Sequence, residues 1–596
     1  MGPYYAILLQ QLLQVTNNGE HWAFHPGVLG TMMLVILVLI VSILILTQRV
    51  SVYMRRNTEK KNLKDKETLA KELMHLDKGE IDQILQARKE ALGYELSGDE
   101  LGSAQEAIQD KKGLVKEWVN DPGFPMVDEK KHSRVKIEVP VTLRNIVLLF
   151  MGSAVFWLLF GTLIGQYMGM KFIWADLDHI SWLSFGRLRP VHTNTVFWGW
   201  SSQAIVGLAY FVISRTSNTR IYSKKLAYIS WAFFNLNVLS GNIFLLMGIN
   251  NGGGEYREYI WPSALFFFLG LLLTFINFYK TIARRKMKDI YISNWYIIGG
   301  MIWTLVLLVI GYLPFYQDGL GETVVQGYYM HQGVGMWFMT TTLGLIYYYL
   351  PSSLNKPIYS YSLGVLAFWT QMLFYTMIGT HHFVFSPLPW WLQTVAIIFS
   401  VGMFIPVFAG TANFVLTMRG SFSEISRSYV LPFFIIGILF YFVGSSQGSF
   451  QAMRFTNFIW HFTDFNVAHS HMTMYGIIAF ILWACTYAIL PKITNRQPSQ
   501  LMVGAHFWIA FLGLLIYMIS LMVGGSLRGL SWVEQNPFIE SVILMKPYWV
   551  WRAVGGTMMF LSHILFAINF VNMIPRKKES LTAFELKEIR KSKKNV

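Results

Sequence analysis

The feature that constrains this chain most is a series of long apolar runs, each about as long as a membrane-spanning helix. From residue 141 onward every run reaches the roughly 20 residues that a helix needs to cross the hydrocarbon core. The twelve runs have approximate limits of 141–168, 191–214, 224–248, 261–283, 293–317, 325–350, 362–383, 390–418, 428–448, 468–490, 502–524 and 550–573. Charged residues make up 14% of the chain, against about 25% in soluble proteins. The sequence therefore predicts an all-α polytopic membrane protein.

Changes in charge divide the chain into four segments. Residues 1–50 contain one further apolar run and no basic stretch before it, so we expect a retained transmembrane anchor and not a signal peptide. Residues 51–140 are rich in Lys, Glu and Asp with apolar residues at helical spacing, which predicts a charged cytoplasmic helical segment. This segment is either a solvated linker or a docking element for a partner subunit. Residues 141–575 form the predicted twelve-helix core, and 576–596 form a basic cytoplasmic tail.

The basic residues predict the orientation of the chain. If thirteen spans are threaded through a membrane, the short loops rich in Lys and Arg all fall on the side of the C-terminus, for instance at Arg215 and Arg284. By the positive-inside rule that side is the cytoplasm. The formal net charge of +16 is thus explained by topology, and we expect no nucleic-acid partner.

Six histidines fall at one depth in this threading, near the predicted outer ends of four spans. They are His192, His331, His381, His382, His469 and His471. A single histidine in a membrane helix can be a polar group satisfied by its neighbours. Six at one level favour a metal or haem cluster, because imidazole is the commonest metal ligand and coordination removes the cost of burying it. His506 and His563 fall at other depths and are interpreted as structural.

The spacing of these histidines suggests how they are shared between metals. His469 and His471 point to opposite flanks of one helix, about 200° apart, so that helix can ligate two haems. His192 can face one member of this pair across a haem, which gives an iron with both axial positions closed.

The adjacent His381 and His382 share a general direction at the end of a span. Together with His331 from the preceding span they can form a three-imidazole copper site that leaves a coordination position open for a gas ligand.

Three stretches carry a resemblance to a known family: "YTMIGTHHFVFSPLPWWLQ", "RPVHT" and "KPYWVWRAVGG". Together with the six histidines they resemble the haem–copper oxidase superfamily, and in particular the catalytic subunit of cbb3-type cytochrome c oxidase, over about 141–575. The resemblance implies that His469 binds a high-spin haem and that His192 and His471 bind a low-spin haem. It also implies that Tyr375 is covalently joined to the copper ligand His331.

The same resemblance implies two b-type haems, one copper ion and a terminal oxidase activity that reduces dioxygen to water and translocates protons. The chain has one cysteine, Cys485, and therefore no CxxCH motif for covalent haem attachment. We therefore expect electrons to come from separate, membrane-anchored c-type cytochrome subunits in a hetero-oligomeric complex. The expected location is the bacterial inner membrane.

Two other functions remain open. Nitric oxide reductases of the same superfamily carry a glutamate four residues after the first metal histidine, where this chain has Gly335. The apolar spans contain no Asp or Glu, which favours copper and dioxygen, whereas "HSHMTMYG" is closer to the reductase branch. A transporter that uses histidines as proton relays is the more distant alternative.

Further candidate residues are predicted for proton delivery and haem binding. A hydroxyl-and-water route from the cytoplasm would pass Tyr347, with Thr341 as a second candidate. Both hydroxyls can instead bond to their own helix. Arg552 is the candidate partner of a haem propionate, ahead of Arg528 and His461.

Overall fold

The computed structural model describes residues 139–575, apart from 253, 288 and 314–317, and the isolated residues 37, 41, 77 and 79. The predicted N-terminal anchor, nearly all of the charged segment and the basic tail therefore lie outside the described residues. Within the described part every regular element is a helix. The predicted all-α class is confirmed.

Twelve long helices follow one another in the described chain, and each predicted apolar run coincides with one of them. We label them α1 to α12, with bounds Val141–Met170, Phe185–Thr216, Lys224–Leu246, Trp261–Ala283, Ile292–Tyr312, 319–354, Tyr361–Tyr375, Trp390–Met418, Leu431–Gln451, Asp464–Thr494, Gln500–Val533 and Phe538–Met573. Ten of these described helices are long and apolar enough to cross a membrane. The other two are α6, which consists of three consecutive helical segments, and the shorter α7.

The helix α7 ends earlier than the sequence predicts. The apolar run extends to 383, but the α-helix stops at Tyr375 and a short 3₁₀ turn, Gly379–Phe383, follows. This turn carries His381 and His382. The two histidines are therefore held by a tight turn that packs against α6 and α8, and not by a continuous helix.

Burial separates central helices from peripheral ones. The most apolar stretches of α2 and α10 are 94% buried, whereas those of α3 and α12 are 39% buried. Large apolar side chains such as Leu373 on the outer faces are exposed, as expected for surfaces that contact lipid. The burial of α2 and α10 on all sides is typical of central helices. Together with the mostly buried α6, α2 and α10 carry four of the six histidines.

The central helices share a local widening. In α2, α6 and α10 a stretch of π-helix, with i→i+5 hydrogen bonding, begins one to three residues after a predicted metal ligand. These stretches are Thr195–Ser201, Gly333–Met339 and Met472–Ala479. π-Turns are uncommon and occur frequently at functional sites. Three of them at one level mark this part of the bundle as the functional region.

Candidate metal centre and haem cavity

Three of the six histidines form a compact cluster. One coordinating nitrogen from each of His331, His381 and His382 lies within 4.8 Å of the other two. The Nε2 atoms of His331 and His381 are 3.1 Å apart, and their rings are nearly perpendicular, with an interplanar angle of 88°. Two facing ring nitrogens can share one proton or one metal ion. The geometry of the cluster is compatible with a single ion such as copper.

A close backbone contact brings these histidines together. A Cβ atom on Gly379 would lie 2.3 Å from the carbonyl oxygen of Gly327, and one on Gly327 would lie 2.8 Å from that of Gly379. The absence of side chains at both positions lets α6 pack directly against the turn that carries His381. His331, one helical turn after Gly327, is thereby placed within reach of the pair.

Hydrogen bonds orient His381 for coordination. The Ser400 hydroxyl donates to the carbonyl of Ala396 at 2.6 Å, so its oxygen is left to accept a bond from His381 Nδ1–H, also at 2.6 Å. This arrangement places the proton on Nδ1 and leaves the Nε2 lone pair free for a metal.

His469 is oriented in the same way by a residue from another helix. Its Nδ1 lies 2.9 Å from the Gln447 side-chain oxygen, and the Gln447 amide nitrogen faces Met522 Sδ at 3.6 Å. The Nε2 atom of His469 is thus available as an axial ligand. His469 also lies close enough to the three-histidine cluster for an electrostatic interaction with His331 and His381.

His192 and His471 face each other as a parallel pair. Their ring centroids are 6.3 Å apart, with an interplanar angle of 13°. Each Nδ1 is bonded to a main-chain carbonyl, that of Gly161 at 2.7 Å for His192 and that of Val467 at 2.8 Å for His471. Metal–imidazole bonds are about 2.0–2.1 Å long, so one ion and the half-widths of two rings account for this separation. The spacing of the pair is compatible with a bis-histidine iron, and this assignment stays a prediction.

A large, mostly apolar cavity surrounds this pair, between α1, α2, α10, α11 and α12. Arg552 and Arg189 line its predicted outer end. The Arg552 guanidinium lies over the Phe172 ring at 4.3 Å, and its Nε donates to the Tyr517 hydroxyl at 3.2 Å. An apolar slot with basic groups at one end suits a planar apolar ring system with acidic substituents, such as a haem with its propionates. Arg552 remains the predicted propionate partner.

Arg528, the weaker candidate for binding a haem propionate, already forms an ion pair with a carboxylate of the protein. Its guanidinium forms an ion pair of 2.8 Å with Asp464, and the Trp549 indole donates to the other Asp464 oxygen at 3.2 Å. Asp464 begins α10 and lies five residues before His469. Sequence reasoning missed this acidic residue, although its place at the start of a histidine-bearing helix was visible.

A second acidic pair beside the cavity was also missed. Glu255 pairs with Arg189 at 2.6 Å. The neighbouring Glu258 is buried, and burial raises the pKa of its carboxyl to about 7, although the Asn194 amide donates to it at 2.8 Å. Both residues stand in the loop before α4, in "EYREY", so a search restricted to the spans overlooked them.

Tyr375 lies at the metal cluster, at the C-terminal end of α7. Its ring centroid is 5.5 Å from that of His331, and the Gln332 amide donates to its carbonyl oxygen. A Cβ atom on Gly335 would lie 1.9 Å from Cε1 of the Tyr375 ring. The tyrosine ring therefore occupies the space into which any side chain at 335 would project.

The two predicted proton-path residues differ in their surroundings. Tyr347 is buried between Tyr296 and Phe414, with ring centroids 5.1 and 4.7 Å away. The Thr341 hydroxyl donates to the carbonyl of Trp337 on its own helix, which is the alternative that the sequence left open. Both roles stay predictions.

Comparison with known proteins identifies the family. The family described as "Cytochrome C and Quinol oxidase polypeptide I" matches residues 145–558. The cbb3-type cytochrome c oxidase subunit CcoN1 of Stutzerimonas stutzeri is 29% identical over 445 residues, which cover 71% of this chain and 94% of that protein. A cytochrome c oxidase subunit 1 homolog of Azorhizobium caulinodans is 28% identical, over 71% of this chain and 80% of its own.

The fold has a counterpart among solved structures. A chain of a heme-copper terminal oxidase dimer superposes with a TM-score of 0.63 at 15% sequence identity, covering 74% of this chain and 86% of that chain. At this identity the likeness concerns the fold alone, whereas the family match spans most of the sequence. The chain belongs to the cytochrome c and quinol oxidase polypeptide I family, the haem–copper oxidases that its histidine pattern predicted.

Proposed function

We propose that this chain is the catalytic subunit of a cbb3-type terminal oxidase, which reduces dioxygen to water and couples this reaction to proton translocation. The observation that carries the proposal is the packing of Tyr375 against His331 and Gly335. A redox-active phenol at this position would supply an electron and a proton at the metal centre. The names of the two relatives above support the same reaction.

The packing also weighs against the nitric oxide reductase alternative. A glutamate ligand at 335 would need the space that the Tyr375 ring fills, since even a Cβ there would lie 1.9 Å from Cε1 of that ring. The cluster around His331 consists of imidazoles, which suit copper, whereas a carboxylate would favour a harder iron site.

The proposed cofactors are two b-type haems and one copper ion. When bound, they supply electron transfer, dioxygen binding and most of the electrons for its reduction. His469 would hold the high-spin haem, His192 and His471 the low-spin haem, and the three-histidine cluster the copper. The protein's part is to fix four of these rings through a hydrogen bond at Nδ1, which leaves Nε2 free for coordination. These rings belong to His192, His381, His469 and His471.

For proton delivery we propose a route past buried tyrosines. The buried Tyr441 is near enough to both Tyr375 and Tyr347 for an electrostatic interaction, so the route would pass it between Tyr347 and the metal centre. Its hydroxyl donates to the carbonyl of Pro406 at 3.2 Å and would have to leave this bond to take part. Thr341 would join this route only if its hydroxyl left the Trp337 carbonyl.

Electrons would arrive from membrane-anchored c-type cytochrome subunits at the outer side of a bacterial inner membrane. The sole cysteine, Cys485, is buried, so this chain has no covalent haem of its own to receive them.

The test uses the purified complex and its Tyr375→Phe variant. We expect reduced-minus-oxidised spectra with b-type haem bands, copper by elemental analysis, and fast dioxygen consumption with little nitric oxide consumption. Tyr375→Phe should abolish dioxygen turnover while both haems stay bound. Non-haem iron in place of copper, with preferred nitric oxide turnover, would establish the alternative, and normal dioxygen turnover in Tyr375→Phe would refute the role of the phenol.

A further inference from the structure

Three polar side chains line the inner end of the haem cavity, opposite Arg552. They are Thr162 on α1, Tyr475 on α10 and His563 on α12. His563 lies 3.1 Å from the Thr162 hydroxyl through Nδ1 and 3.2 Å from the Tyr475 hydroxyl through Nε2. It follows Arg552 by eleven residues, or about 16 Å along a helix. The cavity thus has a guanidinium at one end and an imidazole at the other.

The neighbours of this cluster determine the direction of its hydrogen bonds. The Thr162 hydroxyl donates to the Leu158 carbonyl at 2.6 Å, so its oxygen accepts from His563 Nδ1–H. The Ser562 hydroxyl donates to the Met559 carbonyl at 2.6 Å. Its oxygen is therefore free to accept a bond from the Tyr475 hydroxyl, 3.2 Å away.

This network satisfies His563 in both of its protonation states. When the ring is neutral, the Tyr475 hydroxyl donates to Nε2. When the ring is a cation, Nε2–H donates to the Tyr475 oxygen, and the Tyr475 hydroxyl turns to Ser562. Rotation of one hydroxyl thus removes the penalty of an unpaired N–H group, which usually makes a buried imidazolium costly.

The other buried histidine of this region lacks that property. His506 bonds to the Tyr487 hydroxyl through Nδ1 at 3.1 Å, but its Nε2 is buried without a hydrogen-bond partner in the described part of the chain. It is also outside the residues that line the haem cavity. Protonation of His506 would leave an unpaired N–H, so His506 serves as a matched control.

We propose that His563 takes up one proton when the low-spin haem accepts one electron, with the Tyr475 hydroxyl as the rotating partner. This inference rests on the proposed function, because it requires a haem between His192 and His471. The electron comes from the c-type cytochrome donor and the proton from water, so the cavity gains no net charge. Charge compensation is strongly favoured where the surroundings are apolar.

The groups that face His563 from the packed helices are compatible with this role. Tyr475 on α10, His192 on α2 and His506 on α11 are the titratable groups of the described chain that interact with it, and Thr162 is the polar contact from α1. None of these is a carboxylate that would hold His563 permanently charged. The haem is therefore the neighbouring group whose charge changes, and His563 can respond to that change when the haem is reduced or oxidised.

The experiment measures the midpoint potential of the low-spin haem in the purified complex from mildly acidic to mildly alkaline pH. We expect the potential to fall as pH rises, by up to about 59 mV per pH unit for one proton per electron. His563→Phe should flatten this slope, and Tyr475→Phe should move it to lower pH because the imidazolium loses an acceptor. His506→Phe should keep the wild-type slope.

The outcomes separate this inference from the proposed function. Absence of a low-spin haem from the wild-type complex would overturn the proposed function itself. A haem that is present but has a flat potential in the wild type, or an unchanged slope in His563→Phe, would overturn the inference alone. If His563→Phe fails to bind haem, Tyr475→Phe decides, because an unchanged slope in that variant contradicts the inference and a shifted slope supports it.

Discussion

The packing of Gly335 against Tyr375 leads to the sharpest prediction from this structure. In Gly335→Ala the added Cβ would lie 1.9, 2.2 and 2.4 Å from Cε1, Cδ1 and Cζ of the tyrosine ring. Carbon atoms in contact are normally about 3.5–4.0 Å apart, so the ring must move by roughly 1.5 Å or more. Tyr375 is 8% exposed, and its backbone is tied to Gln332 on α6. The ring therefore has little room to move without disturbing His331.

The magnitude follows from the cost of overpacking a closed site. Inserting one carbon into a packed core typically costs about 1–3 kcal/mol, which corresponds to a loss of about 5- to 150-fold in an equilibrium constant. We expect most of this loss to appear in copper affinity, because the displaced ring contacts His331. Dioxygen turnover should fall at least in proportion, while the low-spin haem bands stay unchanged.

The assay compares copper per haem, by elemental analysis, in complexes equilibrated with a graded series of copper chelators. Gly333→Ala is the matched control on the same helix, since a Cβ there would meet Leu307 and Trp198 at ordinary distances of 3.9 and 4.0 Å. Combining Gly335→Ala with Tyr375→Ala should restore copper affinity but not turnover. Wild-type copper affinity and turnover in Gly335→Ala would refute the reasoning.

Two further tests concern the cavity and its outer loop. Gly165→Ala would place a Cβ 2.5 Å from the His192 ring, so the spectrum of the low-spin haem should be lost. Gly169→Ala is the control and should keep that spectrum, because no atom lies within 4 Å of its Cβ. Retention of the spectrum in Gly165→Ala would contradict the assignment of His192 as a haem ligand. The raised pKa of Glu258, about 7, means that burial favours the neutral carboxyl. The stability that the neutral Glu258 carboxyl contributes is therefore complete below the unfolded pKa of about 4.3. It is lost as pH rises through about 7, by at most about 4 kcal/mol. In Glu258→Gln the side-chain oxygen can still accept the hydrogen bond from Asn194, and the thermal unfolding midpoint should depend less on pH than in the wild type. An unchanged pH dependence of this midpoint would show that the Glu258 carboxyl does not cause it.

Much of the fold follows from local properties of the sequence. The apolar runs are long enough to require helices in a membrane, where every backbone polar group must be satisfied within its own segment. Threading those runs by charge places His192, His331 and His469 at one level without any knowledge of packing. The family could therefore be identified, and candidate metal ligands named, before the structure was known.

The end of α7 shows where local reasoning stops. The sequence predicts a span to 383, because no proline, Lys, Arg, Asp or Glu interrupts the run between Tyr375 and Phe383. The helix instead ends at Tyr375, and in the turn that follows Gly379 packs against Gly327 of α6, a contact between residues 52 positions apart. Hydropathy carries no information about such a contact.

The same limit applies to the residues that orient and surround the ligands. Gln447, Ser400 and His563 belong to no sequence motif. The role of each follows only from its contact with a side chain of an element distant in the chain. Sequence by itself determined which residues enter the membrane and which of them can bind metals. Tertiary structure alone decided which ring nitrogen each histidine presents, why residue 335 has no side chain and which buried histidine faces the haem cavity. All three depend on distances of a few ångströms between helices that are remote in the chain.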